Sequence, residues 1–190
     1  MARARWKPVV SGRPRAAALI AVDGIDNAAI LAAAENAIAT IGRAERGGVS
    51  RWDASGVFEE LTLAGAAAGR PSARTLLLLY AADLAFRLRW EIRPTMAEGR
   101  TVVAAPYVDT AAAFGRAAGL PAAWIANLFQ FAPAPSSRLI DTSGPRRVSR
   151  RHGFVEFACR HIARPRERTP QDLVDRARAH LLKRRRSSRR

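Results

Sequence analysis

Apolar positions along the chain alternate between short unbroken runs and longer stretches with helical spacing. Ala17 to Val22 is continuously apolar, as expected of a strand buried on both faces. The Ala-rich stretch Ala28 to Ile41 follows as a helix, with Asp26 or Asn27 available as its N-cap and Gly42 ending it. Residues 42–56 read as a short strand and a Gly-containing loop, and Val57 to Ala68 as a second helix carrying Phe58, Leu61 and Leu63. The longest helix spans about Ser72 to Glu98. Its stretch LLLLYAADLAFRLRW is apolar around most of its circumference, which predicts burial against both a sheet and a partner.

Beyond Gly99, Arg100 to Tyr107 is a second buried-strand pattern, and Asp109 to Phe131 reads as helix, break at Gly119-Leu120-Pro121, and helix. Ser137 to Ser143 is a third short strand. GFVEFACRHI (153–162) fits either a strand or a short helix, whereas Thr169-Pro170-Gln171-Asp172 is a helix start, with Thr169 as N-cap and Pro170 in the first turn. That helix is expected to reach Lys183, with a disordered basic tail over 184–190 and a loose basic arm over 1–15. Strands alternating with helices predict an α/β fold with a parallel sheet of about five strands and right-handed crossovers.

Composition adds one feature to this picture. Lys and Arg number 32 against 16 Asp and Glu, a net charge of +16, and about three quarters of it lies in residues 144–190. Such charge favours polyanions, anionic membrane surfaces or acidic protein segments, although the chain shows no motif for base readout and is just 7% aromatic. The single cysteine, Cys159, excludes an intrachain disulfide, and with His152, His161 and His180 it makes no zinc spacing, so no metal site is expected. A reducing cytoplasm fits best. The basic N-terminus has no apolar core of a signal peptide, and no apolar run is long enough and free of charge to span a bilayer, so no membrane association is expected.

Candidate chemistry begins at DGIDNAAILAAA (Asp23 to Ala34), where a strand passes through Gly24 into a helix start. That is the layout of a phosphate-binding loop, in which free N–H groups and a helix dipole face an anion. The residues such a loop requires are absent: Ala29, Ile30 and Leu31 stand where G-x-x-x-x-G-K-[ST] has its second Gly, its Lys and its hydroxyl.

Several segments, in order, resemble the thymidylate kinases, a family of P-loop nucleoside monophosphate kinases. ALIAVDGIDNAAILAA matches the family's strand, loop and helix, and ERGGV (45–49) sits where the family has E-P-G-G-T. LLLLYAADLAFRLRW to GRAAGLP matches its long helix, its strand into D-R-Y and its S-x-x-A-[FY] helix, and LID (139–141) falls at L-D-V. The resemblance covers roughly residues 16 to 143. It implies a three-layer P-loop kinase-like fold over 16–183 with a shortened lid, and pairing of two copies through the 72–98 helix.

Where the family holds catalytic groups, this chain departs from it. The resemblance puts Ile30 at the phosphate-binding Lys, Leu31 at the Mg²⁺-holding hydroxyl, Ala105-Pro106 at the Asp-Arg of D-R-Y with Tyr107 retained, and Leu84 at the Arg that clamps the substrate phosphate. Gly24, Asp26, Asn27, Ala29, Ile30 and Leu31 are thus a degenerate P-loop. RRVSRR (146–151) offers arginines in the lid region without a fixed register. What survives implies a nucleoside pocket of Asp26, Tyr80, Tyr107 and Phe114, while from the residues alone Asp26 equally caps a helix and the aromatics equally fill a core.

Phosphoryl transfer depends on positioning and charge neutralisation, and an arginine finger alone is worth about 10³–10⁵ in rate. The expectation is a catalytically inactive thymidylate-kinase-like protein acting by protein or residual nucleotide binding, with no cofactor. Two alternatives stand beside it. One is a working nucleoside monophosphate kinase of unusual mechanism that uses Mg-ATP, and the other a basic nucleic-acid-associated protein on a kinase scaffold.

Overall fold

A computed structural model describes residues 17–65, 69–141, 153–163 and 169–187. The basic arm, RRVSRR and the last three residues lie outside it. The elements in order are β1 (Leu19–Gly24), α1 (Asn27–Ala39), β2 (Arg46–Arg51), α2 (Val57–Ala64), α3 (Ala73–Arg87), a π-helical turn (Leu88–Ile92), α4 (Arg93–Ala97), β3 (Thr101–Ala105), α5 (Val108–Ala117), α6 (Ala122–Leu128), β4 (Ser137–Asp141), α7 (Phe154–His161) and α8 (Pro170–Ser187).

The sheet is parallel throughout and has the order β2-β3-β1-β4. Among the described residues it has four strands rather than the expected five, and no described segment after β4 returns as a strand. β1 and β3 occupy the centre, which explains their uninterrupted apolar runs. Successive side chains enter opposite layers: Leu19, Ala21, Val102 and Ala104 join the larger core with α3, α5, α7 and α8, while Val22, Val103 and Ala105 join Ile30 and Ala34 of α1 on the other face.

The segment 153–162, open to two readings, is helical over Phe154–His161. Phe154, Phe157 and Ala158 fall on one helical stripe and are buried. Glu156 accepts from the Gly153 N–H at the helix start, whereas alternation as a strand would have put that carboxylate on the Phe154 face. α8 runs four residues past Lys183, to Ser187, into the segment expected to be disordered.

The long helix is continuous in direction but changes register where Pro94 has no N–H to donate and its ring crowds the carbonyl of Trp90. The preceding turn widens to π geometry over Leu88–Ile92. Asp83 and Arg87, one turn apart on α3, are both fully buried. The Arg87 Nε donates to Ser50 Oγ at 2.9 Å, and Nη2 donates at 2.9 Å to the carbonyls of Ser50 and Pro106. Asp83 lies 3.9 Å from Arg87 Nη1 and accepts from the Ser55 N–H and Oγ and from the Asp53 N–H. One ion pair on α3 therefore fixes the end of β2, the loop after it and the turn after β3.

Removing one partner of such a pair leaves an uncompensated buried charge. Arg87→Met is expected to lower the unfolding free energy by about 3–5 kcal/mol, read from urea denaturation, with Arg87→Lys recovering little because it cannot span three oxygen acceptors.

Candidate functional site

In open α/β sheets ligands bind outside the carboxyl ends of the strands, here the edge formed by Gly24, Arg51, Ala105 and Asp141. Asp23, at the end of β1, is buried, and its Oδ1 accepts at 2.9 Å from the N–H groups of both Tyr107 and Thr110. It thereby caps α5 from another element, satisfying donors that have no partner within the helix. The Thr110 hydroxyl accepts from the Gly24 N–H at 3.0 Å and donates to the Gly24 carbonyl at 3.1 Å. Burial first, and then the Asp109 charge, push the Asp23 carboxyl up to about 6 against the pull of these hydrogen bonds.

The loop after β1 keeps the strand-turn-helix form of a phosphate site. Asp26 is the N-cap of α1, its carboxylate accepting from the Ala29 N–H at 2.8 Å. Ile30, at the position where the resemblance puts a lysine, is 2% exposed and packs with Val22, Ala34, Val103 and Ala105. A Cβ on Gly24 would meet the Ile30 Cγ1 at 2.9 Å and the Asp141 carbonyl at 2.8 Å, so the glycine is required by this packing. Leu31, at the hydroxyl position, lines a cavity of about 390 Å³ together with Asn27, Asp53 and Thr62. Over the mouth of the loop lies the start of α7, close enough that a Cβ on Gly153 would sit 2.8 Å from the Asn27 Cβ.

The four residues of the implied nucleoside pocket are placed as follows. Tyr80 and Phe114 are fully buried, and Phe154 of α7 packs against both, with ring centroids 4.5 Å and 5.4 Å away. The Tyr80 hydroxyl donates to the Tyr107 carbonyl, and the Tyr107 hydroxyl donates to the Pro133 carbonyl at 2.8 Å. Burial raises the phenols of both, that of Tyr107 to about 12, so they act as donors. Phe157, also from α7, extends the aromatic cluster to Trp52 and Phe58. Asp26 stands apart from these rings as a cap, beside Cys159 at a smaller cavity.

Leu84 is fully buried in the core, and Ala105 is buried beneath α1. Among the described residues no group of three or more His, Cys, Asp or Glu could hold a metal ion, and no helix is long and apolar enough to cross a membrane. Asp23, Thr110 and the Asp83–Arg87 pair were not singled out by sequence reasoning. The signal for the last was a carboxylate and a guanidinium at i, i+4 inside an otherwise apolar helical stretch.

The chain matches no protein family profile and no curated protein. Solved structures do match. Among them is thymidylate kinase from Ehrlichia chaffeensis, with 16% sequence identity and a TM-score of 0.58 over 66% of this chain and 71% of that one. The chain therefore has a thymidylate-kinase-like fold, as its sequence pattern implied.

Because folding raises the Asp23 carboxyl from 3.8 to about 6, its contribution to stability is fully present below about pH 4 and is lost as pH rises through about 6, by roughly 3 kcal/mol in all. Asp23→Asn keeps an acceptor for Tyr107 and Thr110 and removes the titration. The expected result is a flatter dependence of melting temperature on pH between about 4 and 7 than in the unsubstituted protein.

Proposed function

We propose that this protein is a thymidylate-kinase-like scaffold without phosphoryl transfer, acting by association through the exposed face of α3. The observation that carries the first half is Ile30. A residue that must reach phosphate oxygens as a cation is here an alkyl side chain turned into the core beneath the loop, and the neighbouring metal-hydroxyl position is Leu31. Replacement of the Asp-Arg pair by Ala105-Pro106 and of the helix Arg by Leu84 removes the remaining charge that such a reaction uses. The filling of the Tyr80–Phe114 space by Phe154 supports a reading in which no base enters there.

The second half rests on the surface of the long helix. Leu78, Phe86 and Trp90 are 52%, 39% and 64% exposed, and their spacing puts them on one stripe with Ala82 and Ala85 between. The Arg89 guanidinium covers the Trp90 ring at 5.4 Å. A second copy is the occupant this stripe fits. A two-fold axis near Ala82–Ala85 sets Leu78 of one helix against Phe86 and Trp90 of the other and covers the apolar positions of both at once.

Mg-ATP tests the first half. A kinase saturated at 100 times its Kd would gain about 2.7 kcal/mol of stability. The expected thermal shift with Mg-ATP or thymidine monophosphate is zero, and turnover near one per second would overturn the reading. Sedimentation tests the second half. The protein is expected to be dimeric at micromolar concentration and Trp90→Glu monomeric and still cooperatively folded, and a monomeric parent protein would remove α3 as the interface.

A further inference from the structure

Between α1 and α2, beside the loop after β1, lies the cavity of about 390 Å³ that Leu31 lines. Its volume is that of a small-molecule site. Leu31 and Ala105 give it an apolar wall, and Trp52 adds an aromatic surface. Trp52 is half-buried, and its ring is packed against those of Phe58, Phe154 and Phe157, with centroids 5.0, 6.2 and 5.8 Å away. Three such contacts hold the indole in one orientation before any ligand arrives.

The charged side chains that line the same cavity are Arg51, Asp53 and Glu59. Arg51 is already matched, its guanidinium lying 3.2 Å from the Glu35 carboxylate. Asp53 is fixed in place. It takes a left-handed φ of 62°, and its two carboxylate oxygens accept from the N–H groups of Phe58 and Glu59 at 2.9 and 3.0 Å, which leaves each oxygen able to accept again. Glu59 is exposed, and no cation among the described residues pairs with its carboxylate. Burial, and then the charges of Asp83 and Glu59, hold the Asp53 carboxyl above its usual value against the hydrogen bonds it accepts.

Two carboxylates thus face one guanidinium whose charge a third carboxylate already meets. An anion is the wrong occupant for such a wall, and among the described residues no group of three ligating side chains could hold a metal ion. An organic cation suits both halves of the cavity. Its charge is attracted by the carboxylates and by the face of an indole, and its alkyl groups are covered by the apolar wall.

We propose that this cavity binds a small alkylammonium ion, with its ammonium group against Trp52 between Asp53 and Glu59 and its alkyl part against Leu31 and Ala105. This rests on the reading that no phosphoryl group is handled here, since Ile30, Leu84 and Pro106 stand where the resemblance puts the cations that would reverse the sign of the crevice.

The test uses the full chain and three probes: choline, its neutral isostere 3,3-dimethylbutan-1-ol, and Mg-ATP. Binding of the first two is followed by calorimetry and by the Trp52 indole N–H signal in NMR, assigned with Trp52→Phe. Choline is expected to saturate in the millimolar range and to shift that signal, and the isostere to do neither. Glu59→Gln, at an exposed position, is expected to weaken choline about fivefold at unchanged melting temperature, and Trp52→Phe, which keeps a ring of weaker cation affinity, about threefold. Equal binding by choline and the isostere, or by the parent protein and Glu59→Gln, would overturn the proposal. A thermal shift with Mg-ATP would overturn it together with the scaffold reading, whereas failure of choline to saturate without any shift from Mg-ATP would overturn the cation site alone.

Discussion

Everything at the carboxyl edge of this sheet follows from the requirement that buried polar groups find partners. A parallel sheet ends there in strand carbonyls and helix N-termini whose N–H groups have no intrahelical acceptors. In a ligand-binding protein of this architecture a bound anion supplies part of what is needed. Here the chain supplies it. Asp23 takes the N–H groups at the start of α5, Thr110 bridges both backbone groups of Gly24, and Arg87 ties Ser50 to Pro106 while Asp83 holds the loop at Asp53 and Ser55. These bonds lock the ends of β1, β2 and β3 into one frame.

The apolar half of the same region is closed by α7. Phe154 sits between Tyr80 and Phe114, and Phe157 joins Trp52 and Phe58, so six aromatic rings from five segments of the chain form one contiguous cluster. Each fully buried phenylalanine contributes about 1.5–3 kcal/mol relative to exposure, and a T-shaped contact adds about 0.5–1.5 kcal/mol. A nucleoside base entering between Tyr80 and Phe114 must first expel Phe154 to water. That opposing term has to be met from the same contacts the base would make, so the geometry favours the closed arrangement.

The local grammar of the chain was readable in advance. β1 and β3 appear as unbroken apolar runs because both of their faces are covered, Asp26 caps α1 as its position before an Ala-rich stretch implies, and the break at Gly119-Leu120-Pro121 separates α5 from α6. What could not be read locally depends on distant residues. Nothing between Tyr80 and Phe114 indicates that Phe154 will fill the space between them. The expected count of about five strands is not met among the described residues, where the run at 153–162 that could have been a strand is helical. The helical state of 154–161 is decided by where Glu156 goes, to the Gly153 N–H, since both readings of its periodicity bury Phe154. Arg87 looked like one more basic residue in a basic chain, because burial of a charge is set by acceptors supplied from β2 and from the turn after β3.

The residue at the lysine position links the packing of this loop to the proposed absence of phosphoryl transfer. A lysine kept for phosphate binding must be held charged next to a low-dielectric sheet, with its ammonium unpaired whenever the site is empty, and such groups are retained at a cost in stability. Ile30 reverses both conditions. Its side chain joins Val22, Val103 and Ala105, which removes an unpaired charge and adds buried alkyl surface in one step. On the proposed reading the neighbouring groups carry no electrostatic task in phosphoryl transfer. Ala105-Pro106 can present the Pro106 carbonyl to Arg87, and the helix start at Gly153 can settle on Asn27 where an anion would otherwise require open space. Returning a lysine to position 30 alone would therefore place a charge in a closed apolar layer rather than rebuild a phosphate site, and catalytic geometry would have to be restored on both sides of the crevice together.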